Sequence, residues 1–109
     1  IEIIPLFTGT SSANSKVFDI RFGGSTTWTS TQTTLTAVQG YSRVANRNAA
    51  NVQIVFVNSS GFGAAATASA VTYAVDTSAS VTVEIAGTLA NTGETITLES
   101  FIARITYGA

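Results

Sequence analysis

Apolar side chains in this chain recur at every second residue rather than at the three-and-four spacing that builds a helix face. In KVFDIRF, Lys16 to Phe22, alternation puts Phe18, Ile20 and Phe22 on one side of an extended strand and Val17, Asp19 and Arg21 on the other. The same pattern runs through Val71, Tyr73 and Val75, through Val81, Val83 and Ile85, and through Phe101, Ala103, Ile105 and Tyr107. VQIVFV, Val52 to Val57, is apolar at nearly every position and predicts a central strand covered on both faces. Gln39 to Arg47 and the pair Ile96 and Leu98 predict two more strands, and the alanine-rich AAATASA leads straight into the Val71 strand.

Turn formers separate these runs at Gly23-Gly24-Ser25, at Asn58 to Gly63, at Asp76-Thr77-Ser78 and at Asn91 to Glu94. Pro5 lies in the first run, IEIIPLFT, and cannot donate to a ladder, which predicts an edge strand there. Seven or eight strands at this spacing imply an all-β fold, an antiparallel β-sandwich or jelly roll, with residues 1–109 as one domain. The first residue is Ile1 with no leader-like segment before it, so the chain reads as part of a longer protein.

Composition narrows the chemistry. The chain has neither cysteine nor histidine, which excludes disulfides, zinc-thiolate and iron-sulfur sites, thiol catalysis and any imidazole base. Only 10% of residues are charged and the net charge is −1, so no basic stripe exists for nucleic acid. The exterior must be built from neutral polar groups, as in TTWTSTQTTLT. No apolar run reaches the ~20 residues of a spanning helix, and no membrane insertion is expected.

Candidate chemistry is sparse. Ser15-Lys16 is a nucleophile beside a base in sequence, but neighbours on a strand point to opposite faces, and Lys16 reads as an exposed strand start. Glu2, Asp19, Asp76, Glu84, Glu94 and Glu99 read as solvated strand ends and turns. No spacing forces two of them across a cleft, and none shows the oxygen ladder of a calcium loop. Gly23-Gly24 and Gly61-Phe62-Gly63 read as hairpin glycines, not phosphate loops. Catalytic residues, metal ligands and cofactors are therefore all expected to be none.

Recognition is better served. An aromatic ring flanked by Asn, Gln, Thr and Arg stacks on a sugar while amide and guanidinium groups bond its hydroxyls. Trp28, Tyr41 and Phe62 supply rings, with core packing the competing reading for Trp28 as the sole tryptophan. Arg43, Arg47 and the pair Asn46 and Asn48 form the densest polar cluster, suited either to a ligand rim or to an intersubunit contact. Trp28, Tyr41, Arg43, Arg47, Asn48 and Phe62 are the six expected ligand-binding residues.

The C-terminal third carries a strand at Val71 to Val75, an Asp76-Thr77 turn, and a strand from Val81 to Leu89. An A-N-x-x-x-x-I-x-L-E segment from Ala90 to Glu99 and a last strand from Phe101 to Tyr107 follow. Upstream, ANSKVFDIRFGGSTTW has the form N-x-K-x-x-x-x-x-F-G-G. Together these resemble the terminal β module of tailed-bacteriophage appendage proteins. The resemblance implies a tail fibre or spike tip, or a head fibre or decoration protein, on the virion surface. It also implies a homotrimer that contacts other virion proteins and binds a host-surface glycan or protein, and it brings no catalytic residue. A structural module binding only virion neighbours is the alternative. A fimbrial-type adhesin or pilin subunit is another, since FIARITY is similar to a pilin's last strand.

Overall fold

The computed structural model describes residues 1–56 and 70–107, and every regular element among them is a strand in an antiparallel sheet. Val57, the Asn58–Gly63 turn formers with Phe62, and AAATASA up to Ser69 lie outside the described residues.

β2 (Lys16–Phe22) and β3 (Ser25–Gln32) form a hairpin over Gly23 and Gly24. Their φ angles, +56° and +82°, are the two positive values that a two-residue primed turn requires. β9 (Val83–Leu89) pairs with the other side of β2, giving a sheet ordered β3-β2-β9. In the second sheet β1 (Glu2–Gly9) is central. β10 (Ile96–Arg104) pairs with one side of it, and β4 (Ala37–Gln39) and β5 (Ser42–Arg43) pair in succession with the other. A small third sheet is ordered β6 (Ala45–Asn46), β7 (Gln53–Val55), β8 (Val71–Tyr73).

The two larger sheets face each other, as a sandwich requires. Ile3 and Phe7 of β1 meet Phe18 and Ile20 of β2 and Trp28 of β3 in one buried cluster. A second cluster joins Phe22, Val44 and Val55 and ties the small sheet to the end of β2, with Tyr73, Val75 and Val81 against it. Phe18, Ile20 and Phe22 thus occupy the inner face that alternation assigns to them. Gln53 is fully buried with both ends of its amide satisfied. Its Nε2 donates to Asn46 Oδ1 and to the Ala50 and Val75 carbonyls, and its Oε1 accepts from the Val75 N–H, which fastens the connection between β8 and β9 to β7.

Four expectations are corrected. First, β1 is a central strand despite Pro5. The N–H and C=O of a ladder residue point to the same neighbour, and the Pro5 carbonyl accepts from Gly40 N at 3.0 Å. The donor that Pro5 lacks therefore faces the break between β4 and β5, where no ladder is lost. Second, Gln39 to Arg47 is three short strands. The chain bends at Gly40 because Trp28 presses there, with a Cβ at Gly40 falling 2.9 Å from the ring.

Third, Ile96–Leu98 and Phe101 onward form one strand of nine residues with a bulge: Leu6 pairs Ser100 and Phe7 pairs Leu98, leaving Glu99 extra. The bulge shifts the alternation, so Leu98 and Phe101 share the inner face. Fourth, Lys16 is completely buried rather than exposed. A second bulge, at Thr27, explains why Thr27 and Trp28 are buried side by side. The Thr27 hydroxyl donates to the Ile20 carbonyl and accepts from Ser42 Oγ, so it is satisfied inside.

The hairpin gives a paired test. A Cβ at Gly23 would lie 2.5 Å from Val75 Cγ1, whereas a Cβ at Gly24 meets nothing within 4 Å. Gly23→Ala is expected to cost about 2–4 kcal/mol and Gly24→Ala about 1–2 kcal/mol, the latter being left-handed strain alone. Urea titrations followed by the buried Trp28 fluorescence measure both; equal losses would contradict the Val75 contact.

Candidate functional site

Between β9 and β10 the sandwich is incompletely filled. At one end Ile96 closes over Gly87, where a Cβ would stand 3.2 Å from Ile96 Cγ2. Along the rest runs a groove of about 320 Å³ lined by Ile1 and Ile3, by Val83 and Ile85 of β9, and by Leu98, Phe101 and Ala103 of β10. Each of those strands is the outermost of its sheet on this side, with its outer edge unpaired among the described residues. β10 is also the most apolar exposed element: Phe101 is 58% and Ile102 46% exposed, and beyond its end Ile105 and Tyr107 reach 64% and 87%. The sequence signal for this patch is a last strand that keeps apolar residues on both faces, Phe101 beside Ile102, where a surface strand would alternate.

The six expected ligand-binding residues do not form one site. Trp28 is in the core at 6% exposure, so it offers no ring face to a ligand, and the stacking role expected of it is corrected to packing. Tyr41 is half-buried in the bend between β4 and β5. Arg43 is exposed on β5, opposite Glu2 of β1. Arg47 and Asn48 are exposed in the loop that follows β6, which the Arg47 N–H closes on the Val52 carbonyl at 2.8 Å. Asn48 takes φ +63°, a left-handed conformation that Asn tolerates better than most residues. Neither Arg43 nor Arg47 makes a side-chain hydrogen bond or ion pair with a described residue. Phe62 lies outside the described residues.

The charged groups elsewhere are engaged. Arg21 bridges Asp19 and Glu84 on the outer face of β2 and β9, at 3.1 and 3.2 Å. Thr8 donates to Glu99, and Arg104 lies 3.9 Å from Glu2. The buried Lys16 ammonium reaches Ser12 Oγ, the Asn14 and Thr33 carbonyls, and Glu94 Oε2 at 3.1 Å. It ties together the loops on either side of β2 and β3 and the turn before β10, which is a positioning role and leaves nothing to activate Ser15. Glu94, expected in solvent, has only 8% of its side chain exposed. Hydrogen bonds from Ser12 and Asn14, and then Lys16, hold its carboxyl down at about 2. Among the described residues no cluster of acidic side chains is placed to hold a metal ion.

Comparison with known proteins adds no relative: no family model matches the chain, and neither a curated protein nor a solved structure matches it. The fold class rests on the strands themselves, an all-β antiparallel sandwich.

The Glu94 contacts set a pH dependence. The carboxyl ordinarily titrates near 4.5 and in the fold near 2, so the folded state binds fewer protons between those values. The stabilisation is complete above 4.5 and is lost as pH falls towards about 2. Asp76, lowered by hydrogen bonds from Ser78, works in the same direction. The thermal midpoint is expected to drop across this interval, and Glu94→Gln to flatten the drop while leaving the Asp76 part. Melting curves at a series of acidic pH values measure it; identical slopes for both chains would refute the Glu94 assignment.

Proposed function

We propose that the chain is a non-enzymatic appendage domain of a virion, displayed on its surface, which assembles as a homotrimer of jelly-roll-type subunits and attaches to a host surface. The observation that carries this reading is the groove beside β10. Its lining side chains are all hydrocarbon. Such a site contains no side chain that acts as acid, base or nucleophile, so it is poorly suited to turnover. It is well suited to burying apolar surface, which is the main driving force of association. Low charge and a Thr- and Ser-rich exterior fit a crowded particle surface held in solution by neutral polar groups.

Attachment is supported by Arg43, Arg47 and Asn48. Two exposed guanidinium groups with no side-chain partner among the described residues present forked donors to the hydroxyls and carboxylates of surface saccharides, and the Asn48 amide adds a donor and an acceptor. A module that binds only virion neighbours would use the groove and have no need of the arginines. The two readings separate in a binding experiment with the chain multimerised on beads, using bacterial cells and a glycan array as probes. Arg43→Ala with Arg47→Ala is expected to weaken cell binding roughly tenfold or more, the loss of one or two charge-assisted contacts, with the oligomer unchanged. Unaltered binding, or none by the unmodified chain, would leave the structural reading.

A further inference from the structure

We infer that the groove between β9 and β10 receives the segment Ile105–Tyr107 of a second copy of this chain, so that the copies are joined tail into groove. This rests on the assembly half of the function proposed above and names its contact. The pairing of β10 with β1 ends at Glu2 and Arg104, so Ile105, Thr106 and Tyr107 run on past the ladder with no strand beside them. They contribute the two most exposed large apolar side chains among the described residues, and neither lines the groove of its own subunit. The segment directly continues β10, the groove's own wall, without lining the groove. An apolar groove and an apolar segment that does not fill it are thus present on one molecule.

The tail's own side chains are a modest contribution. Ile105 and Tyr107 are 64% and 87% exposed. With about 150–250 Å² for a whole aromatic side chain they present on the order of 300 Å², against roughly 800 Å² per partner in a stable complex. Backbone pairing with the free outer edge of β9 supplies more, and it covers an edge that would otherwise template aggregation. Charge argues for the same partner. From Ser100 to Tyr107 the only ionisable side chain charged at neutral pH is Arg104, already near Glu2 of its own subunit, so nothing there selects a charged ligand. Each copy offers one tail and one groove, a heterologous contact that closes into a ring under rotational symmetry and accommodates three copies.

The cysteine-free sequence makes the test specific. Val83→Cys, in the groove wall, and Ile105→Cys, in the tail, are made as separate full-length chains, mixed and oxidised. A disulfide forms only where the Cβ atoms approach to about 4 Å. The mixture is expected to give a covalent dimer well above the yield of either chain alone. Phe101→Asp and, separately, Tyr107→Asp are expected to abolish it and to shift sedimentation to the 11.2 kDa monomer. Both residues are more than half exposed, so the fold survives the change, and retained Trp28 fluorescence confirms it. A chain that sediments as a monomer overturns the inference. So does an oligomer that gives no mixed disulfide and persists in Phe101→Asp; that outcome leaves the appendage reading intact, since cell binding through Arg43 and Arg47 is measured separately.

Discussion

Phe7 on Phe18, with ring centroids 4.8 Å apart and planes tilted by 56°, is the contact through which the two larger sheets are joined. β1 and β2 are the middle strands of their sheets, so this pair lies at the centre of the sandwich and everything lateral hangs from it. On the β3 side the gap is filled by the largest residue in the chain, Trp28, which packs so tightly under Gly40 that no side chain fits there. On the β9 side the residues facing inward include Gly87 and Ala103. The groove follows from that unequal distribution of volume. One lateral seam has an indole, and the other has small residues that leave hydrocarbon walls without a filling.

Polar groups inside the fold do a different job from the aromatic contact. Apolar packing is tolerant of small slips, whereas a buried amide or ammonium is satisfied in one arrangement only, so it penalises the alternatives. Gln53 locks Val75 to β7, Thr27 locks its bulge to Ile20 and Ser42, and Lys16 gathers three loops around Glu94. A chain without disulfides that is built largely of repeated Thr, Ser, Val and Ala has many near-equivalent strand registers. These three residues sit where a slip would leave an unpaired group in the interior.

Alternation in the sequence was enough to place Phe18, Ile20 and Phe22 in the core and to find strands within Val81–Leu89 and from Phe101, but not their starts at Val83 and Ile96. It failed where a bulge shifts the period, since Thr27 and Glu99 each add a residue that no local pattern announces. It failed again at Pro5, because the rule that proline marks an edge assumes an unbroken neighbouring ladder, and here the neighbour breaks opposite the missing donor. Lys16 was illegible for a related reason: a lysine at a strand start is ordinarily solvated, and its burial depends on Glu94, which is seventy-eight positions away in the chain. The ligand set mixed three environments, with Trp28 inside, Tyr41 half-covered and the arginines outside, because composition around a residue does not reveal which way a strand faces. The groove was the least legible feature, since it is made of what two distant strands fail to fill.

The order of the strands decides how the two proposed surfaces coexist. β10 and β5 lie on opposite sides of β1, so the apolar wall and Arg43 occupy the two lateral edges of one sheet, separated by two strand spacings of about 4.8 Å each. A neighbour seated against β9 and β10 approaches from the edge away from Arg43 and covers none of the β5 side. The loop carrying Arg47 and Asn48 follows β6 in the small sheet, which packs at the Phe22 end of β2 and shares Ile1 and Val83 with the groove. Assembly through the groove therefore leaves the Arg43 guanidinium groups, on the far side of β1, uncovered on the subunits. A ring of such subunits presents them in several copies, and weak individual contacts to a repetitive surface then add through effective concentration without any change in the contacts themselves.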